Sequence, residues 1–409
     1  KESRSYGARK QEQIHKSYKN SECEKLNDFM KKYAFWILSI IGGCAIFSST
    51  LSKNPVLPLF AASLGALEQY IGIISAASTV PGILISLPAG SLSDLYGRKR
   101  MLQIALFIFA SAPFLYLLVT ELWQLALIRF YHGFATAIFG PVALAAVADQ
   151  YIIDRGARLG LYSSATMIGR MLAPAVGGFL LTVGSFSSVY IACAVGGVIA
   201  FSLSFTIEGR PETTKHHTRQ NIRTIVRNRQ IMATNFVEAC QYFAFGGFET
   251  FLPLYARSAG IETAQIGIIF SLQLVATVIT KPTMGKLSDT RGRKPVILLG
   301  LALGVISLLI IPFSANFLLV ACAAACFGLG LASVTASTSA LVSDLSGGSY
   351  GSALGVLSMI MDVGHTLGPI VTGVAVAFLG YRAAFSLVAI LLIAAGALFC
   401  VSTSHERKR

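Results

Sequence analysis

A loop sequence that occurs twice, 195 residues apart, constrains the fold of this 409-residue chain more than any other feature. The first copy reads Gly90-Ser-Leu-Ser-Asp94-Leu-Tyr-Gly97-Arg98-Lys99, and the second reads Gly285-Lys-Leu-Ser-Asp289-Thr-Arg-Gly292-Arg293-Lys294. Each copy lies between two long apolar segments. The same offset relates further pairs, among them Gly72 and Gly267, Asp149 and Asp344, Gly169 and Gly364, and Pro174 and Pro369. A constant register over this length indicates a duplicated unit.

The composition indicates a membrane protein. The chain is 54% hydrophobic and only 13% charged, whereas about 25% charged residues are usual in soluble domains. Many apolar runs of about 20 residues follow one another, and each is long enough to cross roughly 30 Å of hydrocarbon as a helix. Most runs are rich in the small residues that let helices approach closely in lipid. We therefore predict an all-α polytopic membrane protein whose surroundings are a lipid bilayer.

The apolar runs predict twelve transmembrane spans in two sets of six. Numbered in chain order, spans 1 to 12 are expected near 34–58, 70–93, 101–119, 122–147, 158–183, 187–207, 231–256, 264–287, 296–314, 316–342, 352–378 and 382–402. The implied domains are a tail at 1–32, a six-helix bundle at 33–207, a linker at 208–230, a second bundle at 231–402 and a tail at 403–409. A duplication in one orientation predicts bundles related by an axis along the membrane normal.

The distribution of Lys and Arg predicts the orientation of the chain. The basic residues concentrate in the tails and in the loops after even-numbered spans, as in Arg98, Arg155, Arg210 and Arg293, while the loops on the other side hold little besides Arg257 and Arg382. Basic loops face the cytoplasm in membrane proteins. We expect both termini to be cytoplasmic, in a multi-pass protein of the cell (inner) membrane. The net charge of +14 is explained by this bias, so we expect no nucleic-acid partner.

Several motifs resemble those of the major facilitator superfamily over residues 34–402. The duplicated loop is similar to that superfamily's loop signature, and Arg129 followed by Gly133 resembles its span 4 motif. The run Gly169-Arg-Met-Leu-Ala-Pro174-Ala-Val-Gly177-Gly178 resembles the span 5 motif of the drug:proton antiporters, with Ala173 in place of a glycine. Its counterpart contains Gly364, Gly368 and Pro369. The resemblance implies two six-helix bundles with pseudo-two-fold symmetry, packed together through these glycines and prolines.

The resemblance also implies a conformational latch on the basic side of the protein. Asp94 is expected to lie against the start of span 11 near Ser352, where a helix N-terminus carries partial positive charge, and Asp289 is expected to do the same against span 5. Arg98 and Arg293 are expected to pair with Asp149 and Asp344. The remaining members of the latch are the loop glycines Gly90, Gly97, Gly285 and Gly292. The alternative is that these loop charges serve only topology.

Ionisable residues inside the spans are the candidates for function, because charges in a bilayer are costly. For proton coupling we rank Asp362 first, then Glu238 and Glu249, with His365 and Arg129 assisting. Asp362 lies one turn before His365, and the two are expected to pair or to exchange a proton. For the substrate cavity we expect Asn54, Arg170, Lys281, Tyr242 and Gln241. For each of these residues the alternative is a polar side chain satisfied between helices.

Span 1 departs from the exporters that this chain resembles. Many of those proteins carry an acidic residue in span 1, whereas this chain has Lys53 and Asn54. Any proton site must therefore lie elsewhere. The surplus of cations over acids favours a substrate with an anionic group.

Together these features predict a secondary transporter for a small-molecule substrate that works by alternating access. The leading hypothesis is proton-coupled export of a small amphiphilic organic molecule. The alternatives are a proton-coupled importer of an organic anion or metabolite, and a transporter-like sensor or assembly scaffold without flux. No nucleophile–base pair or metal-ligand cluster stands out, so we expect no enzyme activity, no metal and no cofactor. A monomer is expected.

Overall fold

The computed structural model describes residues 33–150, 154–207, 222–347 and 350–404. The expectations for the tails at 1–32 and 405–409, and for residues 208–221 of the linker, lie outside these ranges. The described residues form helices joined by short turns, and no strand occurs among them. The chain is thus all-α, as predicted.

The N-terminal half contains two broken spans and four continuous ones. Span 1 consists of helices 33–51 and Val56–Ser63, and span 2 consists of Glu68–Ala77 and Val80–Tyr96. Spans 3 to 6 are Arg98–Tyr116, Leu122–Gln150, Arg155–Val183 and Phe186–Ser204.

The C-terminal half also contains six spans, but its first two are each one continuous helix. A short helix, Ile222–Arg227, precedes it inside the predicted linker. Spans 7 to 10 are Arg229–Ser258, Thr263–Arg291, Arg293–Ile310 and Phe317–Leu345. Spans 11 and 12 form one helical run, Tyr350–Ser404, which is interrupted at Gly380. Gly380 has a φ of 77°, a conformation that glycine adopts without steric cost.

The lengths of these helices fit a membrane-spanning fold. Within the described residues, eight helices are long and apolar enough to cross a bilayer, and one of them, Ser352–Thr403, contains both span 11 and span 12. The remaining spans are the broken span 2, the 19-residue span 3 and the 30-residue span 7. The fold of two six-helix bundles predicted from the sequence is confirmed.

The two broken spans bring polar residues into the interior. Span 1 stops being helical at 52–55, where Pro55 has no backbone N–H to donate. Span 2 is interrupted at Ser78 and Thr79, just before Pro81. Each break carries short polar or basic side chains in an otherwise apolar helix, and both breaks lie on the wall of the central cavity.

The two bundles meet along two seams on the side opposite the basic loops. In one seam span 2 packs on span 11, and a Cβ atom added to Gly72 would lie 2.2 Å from the carbonyl oxygen of Pro369. In the other seam span 8 packs on span 5, and a Cβ atom on Gly267 would lie 2.3 Å from the carbonyl oxygen of Pro174. Only glycine permits backbones to approach this closely. The two seams are the same contact repeated 195 residues later.

Spans 5 and 8 separate toward the basic side. A Cβ atom added to Gly156 or Gly160 of span 5, or to Gly285 of span 8, would meet nothing within 4 Å. Ile279 of span 8 is 66% exposed. The space between the halves is therefore closed by the two seams at one end and opens between spans 5 and 8 at the other.

Candidate functional site

A cavity of about 430 Å³ lies between the two halves. Spans 1, 2, 4 and 5 line it from one half, and spans 7, 8, 10 and 11 line it from the other. Its wall is unusually polar for the interior of a membrane protein. Two histidines line it, together with six acidic or basic residues: Lys53, Arg129, Arg170, Glu249, Lys281 and Asp362. A polar cavity between two repeats is where transporters of this architecture bind substrate.

Glu249 forms the centre of a polar cluster that joins the halves. Lys53 Nζ lies 2.6 Å from Glu249 Oε2, and Asn54 Nδ2 donates a hydrogen bond to Glu249 Oε1. His365 Nε2 lies 3.0 Å from Glu249 Oε2. The Glu249 side chain is only 8% exposed. Two of its three partners come from the opposite half, so this carboxylate bridges the bundles.

The orientation of His365 corrects one prediction from the sequence. Its ring stacks on Phe245, with centroids 5.5 Å apart and planes 17° apart, and Tyr242 contacts it edge-on. These rings direct Nε2 toward Glu249 of span 7. The predicted pairing of His365 with Asp362 is not formed, because the ring is held between Phe245 and Tyr242 with its Nε2 on Glu249.

Arg129 is held by hydroxyl groups and not by an acid. Its Nη2 donates to Ser78 Oγ at 2.6 Å and its Nη1 donates to Tyr116 Oη at 3.4 Å. The residue is 3% exposed. A direct influence of Arg129 on a neighbouring carboxylate, as expected from the sequence, has no hydrogen-bonded counterpart in the described part of the chain. Arg129 instead ties span 4 to the break in span 2.

Four predicted residues line the cavity without joining the Glu249 cluster. Arg170 lies on span 5, Tyr242 on span 7, Lys281 on span 8 and Asp362 on span 11. Among the residues that the structure describes, no side chain forms an ion pair or hydrogen bond with the charged groups of Arg170, Lys281 or Asp362. Three charged side chains therefore face the cavity and remain available to a ligand.

Two predicted residues lie outside the cavity lining. Gln241 is fully buried and faces Gly304 of span 9. It precedes Tyr242 directly, and successive side chains on a helix point about 100° apart, so the two residues face different neighbours. Its proposed place in the substrate cavity is wrong. Glu238 is also buried, and its Oε2 accepts a hydrogen bond of 2.7 Å from Thr338 Oγ1 of span 10. It is a polar contact between helices of one bundle.

The duplicated loops form the same ion-pair arrangement twice. Arg98 contacts Asp94 and Ser93, and its Nε lies 3.1 Å from Asp149 Oδ2. In the second copy Arg293 contacts Asp289, its Nη1 lies 2.8 Å from Ser288 Oγ, and its Nε lies 3.1 Å from Asp344 Oδ2. The arginine begins the next helix in each case, directly after Gly97 or Gly292, whose φ angles are 98° and 90°.

One part of the expected latch is not formed in this conformation. The side chain of Asp289 is 61% exposed and contacts Arg293; within the described ranges it forms no hydrogen bond or ion pair with span 5. The start of span 5 has open space around Gly156 and Gly160, because spans 5 and 8 separate at this end. The predicted contact of Asp289 with span 5 is therefore absent in this conformation. Gly90 and Gly285 lie within the ends of spans 2 and 8.

The predicted packing glycines have two different roles. Gly178 belongs to the seam between the halves, where an added Cβ atom would lie 2.5 Å from the Thr263 carbonyl oxygen. Gly169, Gly364 and Gly368 instead pack within one bundle, against spans 1 and 7. Gly177 also packs on span 1, next to Leu51 and Val56.

Several cavity residues were not selected from the sequence as site residues. Lys53 was noted only as a departure from a motif, although it is the ion-pair partner of Glu249. Thr79, which lines the cavity, forms a 2.6 Å hydrogen bond with Thr366 outside the lining, and this bond joins spans 2 and 11 and hence the two halves. A usable signal was present: Lys53 and Thr79 each lie two residues before a proline, at a break in a span.

Comparison with known proteins agrees with this architecture. The chain is 24% identical over 354 residues to an uncharacterized MFS-type transporter of Methanocaldococcus jannaschii, covering 84% of this chain and 91% of that protein. It is 27% identical over 333 residues to multidrug resistance protein 2 of Bacillus subtilis strain 168, covering 78% and 83%. A bacterial homolog of the human lysosomal transporter Spinster, solved in an inward-facing and unoccupied conformation, superposes with a TM-score of 0.78 at 15% identity, covering 93% and 98%.

Residues 38–262 and 234–409 each match the sequence profile of the Major Facilitator Superfamily. Together the two matches cover both bundles, the duplicated loops and every residue of the cavity wall. The chain therefore belongs to the Major Facilitator Superfamily, and it is a membrane transporter and not an enzyme.

Proposed function

We propose that this protein exports a small amphiphilic organic molecule across the cell membrane in exchange for protons. Its relative in Bacillus subtilis is named a multidrug resistance protein, and the span 5 motif from Gly169 to Gly178 resembles that of drug:proton antiporters. The basic loops face the cytoplasm under the positive-inside rule. In that orientation both termini are cytoplasmic and the cavity opens inward. The transporter lies in the inner membrane, and we propose separately that it acts as a monomer.

The observation that carries proton coupling is the position of Glu249 between the halves. A proton can drive a conformational change only if it binds the two conformations with different affinities. Protonation of Glu249 neutralises the carboxylate that Lys53 and Asn54 contact from the opposite bundle. It therefore alters an interaction between the bundles, whereas protonation of Glu238, which contacts Thr338 inside one bundle, does not. We therefore place Glu249 above Glu238, which is the opposite of the order expected from the sequence for these two residues.

The exchange cycle follows from this cluster. In the conformation described, Glu249 is ionised and its contacts with Lys53 and Asn54 help to hold the outer seams closed. Substrate enters from the cytoplasm and disturbs the cluster, and the bundles then rotate to open the outer side. Once substrate has left, a proton binds Glu249 from outside, and the neutral carboxyl group removes the cost of burying an unpaired charge while the outer side closes again. Release of that proton to the cytoplasm restores the ion pair with Lys53.

The test is a proton-flux assay with purified protein in liposomes. A pH-sensitive dye inside the vesicles would report proton movement when members of a panel of amphiphilic compounds are added under an imposed pH gradient. We expect the active compounds to move protons, and Glu249→Gln to abolish that movement while substrate binding persists. Glu121→Gln is the matched control, since Glu121 is an exposed loop residue outside the cavity. Unchanged proton flux in Glu249→Gln would exclude Glu249 as the coupling residue.

The same vesicles distinguish the alternatives. Export predicts that substrate moves against the direction of the proton gradient, whereas a proton-coupled importer of an organic anion or metabolite moves substrate with the protons. The cation surplus in the cavity is the observation that keeps this second candidate open. A sensor or assembly scaffold predicts binding without flux of either species, and it predicts that Asp94→Asn and substitutions of Gly97 leave the cellular phenotype unchanged.

A further inference from the structure

We infer that the transported molecule carries an anionic group, such as a carboxylate, a sulfonate or a phosphate monoester, and that Arg170 is its principal ligand. This inference rests on the proposed transport through the central cavity. It adds the chemical class of the substrate, which neither the fold nor the motifs define.

The charges that line the cavity are the first argument. The described lining contains four cationic side chains against two carboxylates, with Asp362 and Glu249 as the acids. Glu249 is already engaged by Lys53 and by His365. Arg129 is held by Ser78 and Tyr116, so Arg170 and Lys281 remain as available cations, with Asp362 as the one free carboxylate among the described lining residues. A cleft with one predominant sign of charge and low-dielectric walls concentrates ligands of the opposite sign.

The position of Arg170 is the second argument. The next residue, Met171, accepts a hydrogen bond of 2.7 Å from Ser271 Oγ, which belongs to the seam between spans 5 and 8. Arg170 thus lies in the cavity lining, next to the seam that closes one end of the cavity. Its guanidinium faces the cavity and presents a planar set of donors that matches the geometry of a carboxylate or phosphate.

Lys281 has a different place along the same path. It lies ten residues after Ser271 on span 8, about 15 Å nearer the open end at 1.5 Å per residue. An ammonium group there attracts an anion toward the cavity before the anion reaches Arg170. We therefore expect Lys281 to affect the rate of association and its dependence on salt more than the final affinity.

The rest of the wall accounts for an apolar portion of the substrate. Met167, Phe245, Leu274, Val278, Leu331 and Met361 line the cavity beside the charged groups. An uncharged apolar molecule would leave the cations of the cavity wall without a counter-charge. A small inorganic anion would leave the apolar part of the wall exposed to water. A molecule with one anionic group and an aromatic or alkyl body satisfies both parts of the wall.

The position of Arg170 also gives a route by which substrate binding can disturb the Glu249 cluster. An anion bound near the closed end competes with Glu249 for Lys53. Exchange of partners at Lys53 would remove one of the contacts that join span 1 to span 7. In this way an anionic substrate can prepare the outer side to open while Glu249 becomes available to a proton.

The experiment uses matched triplets of probes with the purified full chain in nanodiscs. Each triplet keeps one apolar body and changes only its charge: naphthalene-2-carboxylate, 2-naphthamide and 2-(aminomethyl)naphthalene, with equivalent triplets on biphenyl and on an eight-carbon alkyl chain. Affinity is measured by calorimetry without any ion gradient. We expect the carboxylate to bind at least tenfold more tightly than the amide in one or more triplets, and the amine to bind most weakly.

Substitution at Arg170 then tests the assignment. We expect Arg170→Gln to reduce the carboxylate-to-amide affinity ratio tenfold or more, and Arg170→Lys to reduce it less. Lys286→Gln, which changes an exposed lysine of span 8 outside the cavity lining, should leave the ratio unchanged. Because the ratio compares two ligands on one protein, a general loss of folding would lower both affinities and leave the ratio at its original value.

The outcomes separate this inference from the proposed function. If no carboxylate binds, or if amide or amine binds as well as the carboxylate in every triplet, the inference is overturned. An unchanged ratio in Arg170→Gln overturns the role of Arg170. If the protein exports only neutral or cationic compounds in exchange for protons, the proposed function is supported and the inference of an anionic substrate is overturned. If a carboxylate binds tightly but no proton flux is measured, the inference of an anionic substrate is supported and the proposed proton coupling is overturned.

Discussion

Asn54 and Glu249 occupy equivalent positions in the two repeats, and they are hydrogen-bonded to each other. Equivalent residues meet only on the axis that relates the halves, so this contact marks the pseudo-two-fold axis inside the protein. In a symmetric dimer of one repeat, a residue on the axis meets its own copy, and two carboxylates there would repel. The duplicated chain has an amide on one side and an acid on the other, so the axis holds a single carboxylate.

The Lys53–Glu249 ion pair should stabilise the conformation described. Removal of one partner from a buried ion pair leaves the other charge uncompensated, and we expect Lys53→Met to lower the free energy of unfolding by about 2 kcal/mol or more. Lys53→Met combined with Glu249→Gln should cost less than the sum of the two single changes. Thermal unfolding in detergent of the four proteins in this cycle gives the coupling energy, and Lys286→Met serves as the control. Additive effects would show that the two side chains do not interact.

The glycine seams should control which side of the transporter is open. Gly72→Ala would place a methyl group 2.2 Å from the Pro369 carbonyl oxygen, and Gly267→Ala would place one 2.3 Å from that of Pro174. Overpacking of this kind costs about 1–3 kcal/mol. This cost is enough to shift the equilibrium from the conformation with the seams in contact toward the conformation in which they are separated. Distances between spin labels on the outer ends of spans 5 and 8 should lengthen in either variant.

The control for the seams is Gly140→Ala. Gly140 is a helical glycine of span 4 where an added Cβ atom meets nothing within 4 Å. The label distances should not change in this variant. If Gly140→Ala lengthened them as much as Gly72→Ala does, crowding at the seams would not be the cause.

Arg129 should not tolerate replacement by lysine. The guanidinium reaches Ser78 and Tyr116 with two different nitrogens, whereas an ammonium group is a single point donor. Loss of one hydrogen bond to a charged group costs about 1.5 kcal/mol or more, and we expect Arg129→Lys to lower the transport rate about tenfold. Ser78→Ala should produce a smaller loss in the same liposome assay. Full activity in Arg129→Lys would mean that the charge alone is sufficient.

The loop ion pairs should affect the rate of transport more than stability. Asp149 and Asp344 are about half exposed, and exposed pairs contribute about 0–1 kcal/mol. Asp344→Asn should therefore leave the unfolding temperature nearly unchanged while it slows exchange between the two conformations. Asp149→Asn should have the same effect, because the two loops have the same contacts. A large drop in unfolding temperature without a change in rate would assign these residues to stability alone.

The fold could be predicted from the sequence because its signals are local and repeated. Apolar length defines each span, and the duplicated loop places Arg98 four residues after Asp94, across the turn at Gly97. Even the approach of Arg98 to Asp149, 51 residues away, follows once the two helix ends are placed on the same side. The constant register between repeats then transfers each contact to the second half, as Arg293 and Asp344 illustrate.

The site was harder to predict because it depends on which face of each helix meets the other half. Gln241 and Tyr242 are adjacent in sequence, yet only Tyr242 reaches the cavity. His365 has a possible partner one turn away in Asp362, but it contacts Glu249 on another span. Lys53 lies in a break that apolar periodicity does not reveal. Pairings between helices follow from rotation and packing, which a single sequence leaves open.

The two seams also bear on how often the protein can open and close. Glycine backbone and carbonyl oxygens approach each other closely there, as at Gly72 and Pro369 or Gly267 and Pro174. Closing such a surface freezes few rotamers and so loses little conformational entropy. Separating it breaks dispersion contacts, weak C–H···O interactions and hydrogen bonds of short hydroxyl side chains, such as those of Ser271 with Met171 and of Thr79 with Thr366. A surface made of backbone is smooth, and it can be parted and rejoined in every transport cycle without repacking.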